Sequence, residues 1–352
     1  MHFVCLPGPE FTISSPAAGR QGKHIIDLLT IQLEAKLLIR YLPQWKYTIS
    51  HLFPTIMPMR NFIIISVVFL LFPLVPGHGF GADAEQNKPI TAFVSILPMV
   101  DFVRNIAGSH LRVLPMVLPG QSPATYMPTP KQMRALAGAD LYFRIGVPFE
   151  NSLISKLQHN TPKLTIIDLR TGIKLIHRKS GDAGGPDPHI WLDPSLVRQM
   201  AITIREALIR LDPAGADIYR SNCKKFRAEL AQLDHRLHRI LQPLAGQTIY
   251  VFHPAYAYFC RAYNLVQKPI APAGKTPGAR YLARLIDQAT HDKVRFIFIQ
   301  PQFSKNTAQA VAKAIGASLI PLDPLAENYI SNMETMGRRI AEALRQNPTT
   351  EN

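Results

Sequence analysis

Short, β-branched apolar runs alternate with helical stretches in two separate blocks, and one long amphipathic segment lies between the blocks. The first block carries runs at 90–97, 112–118, 140–146 and 164–169. The second carries runs at 248–253, 265–271, 294–300 and 318–323, with helical patterns at 276–291, 303–315 and 328–347. Runs of four to eight apolar residues are what strands covered on both faces by helices require, so each block predicts a mainly parallel sheet flanked by helices. The fold class expected is therefore α/β with two lobes.

The segment between the blocks predicts a single helix over 213–242. Asp212 is a good N-cap and Pro213 suits the first helical position. Phe226, Leu230, Leu233, Leu237, Ile240 and Leu244 recur every three or four residues as one apolar stripe, and Pro243 and Gly246 end it. Such a helix spans about 45 Å at 1.5 Å per residue. It is read as a rigid backbone helix joining the lobes, with the chain divided into 85–211, 212–245 and 246–348.

Ahead of these blocks, 62–74 is a 13-residue apolar run preceded by Arg60 and followed by Ala82-Asp83-Ala84. It is too short to cross a bilayer comfortably. A basic start, a short apolar stretch and an A-x-A site together describe a secretory signal peptide over 57–84. Residues 1–56 then read as an over-extended start, and the mature chain as periplasmic. Its 33 basic and 20 acidic side chains leave a net charge of +13, against +15 for all 352 residues.

Hydrophobic residues make up 47% of the chain and charged ones 18%, enough to build a core and too little charge for wholesale disorder. The basic residues are scattered, with clusters no longer than Lys224-Lys225 or Arg338-Arg339. No aromatic-basic motif accompanies them, so nucleic acid is not an expected partner. Cys223 and Cys260 can pair in an oxidising compartment or stay buried and reduced; no C-x-x-C is present.

Ligands of open α/β sheets bind beyond the carboxyl ends of the strands. His253 and Gln300 end two of the apolar runs, Glu327 follows a third, and His189 sits in a Gly/Pro-rich loop. Two imidazoles and a carboxylate from separate loops suit a zinc-like ion. The remaining histidines of the mature chain lie in helical or loop contexts away from strand ends.

Several segments resemble the zinc/manganese solute-binding proteins of ABC transporters, the ZnuA/TroA-like family. GPDPHIWLDP is similar to that family's second histidine motif. VFHPAYAYFCRAYNL is similar to its strand-histidine-helix motif, IFIQPQFS to its EPQFS segment, and LDPLAENYISNMETMGRRIAEAL to its C-terminal helix start. SILPMVDFVRNIAGSH and VLPGQSPATYMPTPKQMRALAGADL match its opening strand and first metal loop, so the resemblance covers nearly all of 88–347.

The resemblance implies a metal held in the cleft between lobes by His189, His253 and Glu327, with delivery to a membrane permease and a monomeric chain. Zinc is the expected ion, with manganese or iron as alternatives. Two departures stand out: Ala124 occupies the place of the family's first histidine, and Glu327 that of a residue that is commonly aspartate. Tetrahedral zinc needs four ligands, so a water, Tyr126 or bidentate Glu327 is expected to complete the shell, and His177 lies on a Gly-rich loop within swinging range. A scaffold with an eroded site, serving as an adhesin or as a binder of another solute, remains the alternative function. A zinc hydrolase is a further one, although HExxH and GxSxG motifs are absent from the sequence.

Overall fold

The computed structural model describes residues 89–177, 185–271 and 278–346. All lie in one compact unit, Glu85–Asn352. The expected over-extended start and signal peptide fall outside the described residues. Among those described, no helix is long and apolar enough to cross a membrane.

The first lobe runs β1 (Ile90–Val94), α1 (Pro98–Ala107), β2 (Leu111–Pro115), α2 (Pro130–Ala137), β3 (Leu141–Arg144), α3 (Glu150–Asn160), β4 (Thr165–Asp168) and α4 (Pro194–Leu211). Then comes α5 (Ala216–Leu241). The second lobe follows with β5 (Thr248–Val251), α6 (Ala257–Ala262), β6 (Val266–Pro269), α7 (Ala279–His291), β7 (Phe296–Ile299), α8 (Lys305–Ile315), β8 (Ser318–Pro321) and α9 (Tyr329–Gln346).

Both sheets are wholly parallel and repeat one topology, β2-β1-β3-β4 and β6-β5-β7-β8. In each, the chain moves from its first strand to one side and then crosses back to the other. That reversal opens a crevice beyond the carboxyl ends of the first and third strands. In the second lobe these are β5 and β7, the strands that lead into His253 and Gln300.

The long helix is shorter than its sequence pattern predicts. Pro213–Gly215 forms a 3-10 turn, capped by the Asp212 carboxylate through Gly215 N, before α5 begins at Ala216. Its 26 residues span about 39 Å. The buried stripe starts earlier than expected, at Tyr219 and Cys223. It continues through Phe226, Leu230, Leu233 and Leu237 to Leu241, leaving Ile240 only partly buried. Cys223 and Cys260 are both free and buried, which decides between the two states left open by sequence.

One apolar cluster runs from the first sheet through α1, α4 and α5 into α6 and α9, without a break at the lobe boundary. A smaller one, built on Tyr250, Ile270, Ile297 and Val311, covers the other face of the second sheet. The helix is thus a shared wall of the larger core and joins the two lobes, as its apolar stripe predicts. Polar tips of buried aromatics tie the lobes further. Trp191 Nε1 donates to Pro324 O at 2.8 Å, Tyr329 OH to Trp191 O at 2.7 Å, and Tyr258 OH to Asp187 O at 3.1 Å.

Where α9 crosses α5, Gly337 leaves no room for a side chain, because a Cβ there would collide with buried Leu237. Gly337→Val should therefore destabilise the fold by about 2 kcal/mol, measured as a lowered midpoint of thermal unfolding. An unchanged midpoint would mean that the two helices separate freely.

Candidate metal site between the lobes

Local rules place each polar group. Asp193 caps α4 by accepting from Ser195 N, with Pro194 at the first helical position. The preceding segment, which carries His189, is thereby held at the edge of the first lobe. Its backbone is pinned by Asp187 N donating to Ile176 O at 2.8 Å. On the second lobe, His253 lies just past β5. Its backbone N donates to Gln300 Oε1 at 3.2 Å, and Gln300 Nε2 donates back to His253 O at 3.0 Å. Gln300 is 1% exposed. Its amide therefore spends its bonds on fixing the histidine across the β5–β7 crevice.

The two imidazoles meet. Their ring centroids lie 5.5 Å apart at 71°, and the His253 ring also stacks on Phe303 at 4.9 Å. Asp187, only 3% exposed, accepts from His189 N at 2.9 Å through Oδ1, and the same oxygen lies 2.7 Å from His189 Nδ1. A carboxylate oxygen accepts, so in the neutral ring Nδ1 carries the proton and Nε2 keeps its lone pair. A carboxylate behind an imidazole in this way is the usual outer support of a metal-binding histidine. Asp187 was not singled out in the sequence. Its signal is the spacing Asp-Pro-His, which lets one side chain reach both the backbone N–H and the ring two residues on.

Both rings line a cavity of about 230 Å³ between the lobes, together with Ser122, Ala124, Pro148, Trp191, Gln302 and Phe303 among others. Ala124 therefore faces the same space as the two histidines. Its loop is anchored by Gln132, whose Nε2 donates to Met116 O at 2.8 Å and whose Oε1 accepts from Tyr126 OH at 2.7 Å.

The other expected ligands stand elsewhere. Glu327 does not join the histidines. It pairs with Arg104 of α1 and lines an adjacent cavity that shares Gln302 and Leu325 with the first. The cause is the docking of α9. Asp101 of α1 accepts from Tyr329 N at 3.2 Å, so the residues leading into α9 pass over α1, within reach of its Arg104 guanidinium. Burial, with Glu327 adding to it, raises the Asp101 carboxyl above its usual range. The Tyr126 hydroxyl is committed to Gln132 and its pKa is raised by burial, so it is placed as a donor, not as a phenolate ligand. His177 is exposed, forms an isolated bridge with Pro186, and is not among the described residues that line the cavity. Among the described residues, no group of three or more His, Cys, Asp or Glu side chains is placed to hold a metal ion. The arrangement therefore offers two imidazoles, with the Asp187 carboxylate behind one of them.

Comparison with known proteins gives concordant results. The sequence profile of a family described as "Zinc-uptake complex component A periplasmic" (ZnuA) matches residues 93–343. A crystal structure of ZnuA is 40% identical, superposes with a TM-score of 0.69, and is matched over 73% of this chain and 100% of that one. The high-affinity zinc uptake system protein ZnuA of Yersinia pestis is 28% identical over 68% of this chain and 85% of its own length. The manganese-binding lipoprotein MntA of Halalkalibacterium halodurans is 29% identical over 68% of this chain and 80% of its own length.

Asp187→Asn keeps an acceptor beside His189 but removes the charge behind it. It should weaken zinc binding roughly 10–100-fold with little change in fold. Calorimetric titration beside circular dichroism checks this; equal affinity in the variant would remove Asp187 from the site.

Proposed function

Because this chain belongs to the zinc-uptake complex component A family of metal-binding proteins of ABC transporters, we propose that it captures a divalent transition metal, zinc first, in the cleft between its lobes and hands it to a membrane permease. The observation that carries the reading is the pairing of His189 and His253. They are drawn from different lobes, their rings lie 5.5 Å apart, and each is held by a buried partner, Asp187 or Gln300. Neutral imidazole suits zinc, copper, iron and nickel, whereas manganese is better matched by oxygen ligands. A cavity lined by two histidines and by no carboxylate therefore favours zinc over manganese, even though relatives named for both metals match the chain.

Delivery to a permease requires export, and the signal-like segment at 57–84 supports a periplasmic location. Capture, rather than catalysis, fits a cleft whose polar groups are spent on holding the histidines. Because Ala124 faces the same cavity, the position of the family's missing histidine remains geometrically available to a ligand.

Titrating the mature chain, 85–352, with zinc tests the reading. Uptake of one ion should stabilise the fold by about 2.7 kcal/mol when free zinc is a hundred times the dissociation constant, read as a rise in the unfolding midpoint. His253→Ala should abolish that rise. Ala124→His should tighten binding tenfold or more by supplying a further imidazole. Failure of the unaltered chain to take up zinc, manganese or iron would defeat the proposal.

A further inference from the structure

We infer that the cargo enters this cleft not as a bare ion but as a 1:1 complex of the metal with a small anionic organic chelator of the aminocarboxylate or hydroxycarboxylate class, His189 and His253 supplying only the protein's share of the coordination shell. The inference rests on the metal-capture reading above and concerns the form in which the metal is taken.

Three features carry it. The first is charge. Among the described residues lining the cavity there is no Asp, Glu, Lys or Arg. A dication on two neutral imidazoles keeps its full charge, offset only by Asp187 acting through the His189 ring. An uncompensated charge taken out of water is costly, and one removed carboxylate does not balance two positive charges. Glu327, the nearest candidate by sequence, is bound to Arg104 in the adjacent cavity.

The second feature is room. The cavity holds about 230 Å³, whereas a water takes about 30 Å³ of liquid volume. Two water ligands completing a tetrahedron leave most of the space unfilled, while a chelator of several heavy atoms fills it. Ala124 contributes to this room, since an imidazole there would occupy it.

The third is the character of the walls. Val147, Pro148, Trp191, Phe303, Pro324 and Leu325 offer apolar contact. Few polar groups remain to hold a cluster of waters. The Gln300 amide is engaged by the His253 backbone, and Gln302 Nε2 donates to Asp323 at 2.9 Å. Waters bound to the metal would find few acceptors besides Ser122 Oγ and Gln302 Oε1, whereas the carbon skeleton of a chelator packs against the apolar walls. Its carboxylates would bring the missing negative charge directly onto the metal.

Zinc with equimolar iminodiacetate, a dianionic aminodicarboxylate, is the probe. The mature chain should bind the zinc–iminodiacetate complex at least tenfold more tightly than zinc alone, by calorimetry, and native mass spectrometry should show protein, zinc and chelator together at 1:1:1. Iminodiacetate without metal should not bind. In Ala124→His, the advantage of the chelated form should vanish while zinc alone still binds. If zinc alone binds 1:1 and the chelator only competes for it, this inference is overturned and the capture reading stands. If neither form binds, this inference is overturned, and the capture reading falls with it when manganese and iron are also refused.

Discussion

The hydrogen bonds that satisfy Trp191 and Tyr329 hold the two lobes in one relation, and the site depends on that relation. Both side chains are buried, and each carries a polar tip that must find a partner or lose about 1–3 kcal/mol. Both partners lie across the lobe boundary: Trp191 donates to Pro324 O, and Tyr329 donates to Trp191 O. Trp191 follows His189 by two residues and its ring lies 5.2 Å from the imidazole. The bond that orients the lobes therefore also orients a histidine.

A single continuous core reinforces this. Interfaces between domains of one chain ordinarily leave room for relative motion unless they are large and apolar. Here the main cluster passes unbroken through α5 and α9, and Gly337 lets those helices approach closely. Such a scaffold holds its two imidazoles at a set separation. Beside them, Ala124 and the apolar walls leave space in the cavity.

Much of the architecture was legible beforehand. The eight apolar runs all became strands, though shortened by two or three residues, as at 265–271, where β6 is an edge strand covering only Val266–Pro269. Apolar content marks where a chain is buried, whereas a strand ends where its neighbour stops offering hydrogen bonds, and that limit belongs to the partner. The long helix was foreseen with its stripe, but its first turn tightened into a 3-10 turn around the Asp212 cap. The disposition of Cys223 and Cys260, open from composition, was settled by their burial as separate thiols.

By itself the sequence determined that two similar α/β lobes flank one amphipathic helix, and that His253 and Gln300 stand at strand ends while His189 stands in a loop before a helix. These are properties of periodicity and of position along the chain, which neighbouring residues set. Only the tertiary structure decided which groups share a space. It brought His189 to His253, put Asp187 behind the ring and turned Ala124 toward both. It also gave Glu327 to Arg104, 223 residues away, and the Tyr126 hydroxyl to Gln132. A carboxylate pairs with whichever cation the packing of whole helices carries past it. Here the docking of α9 on α1 through Asp101 brought Arg104 to Glu327, a pairing that no local pattern records.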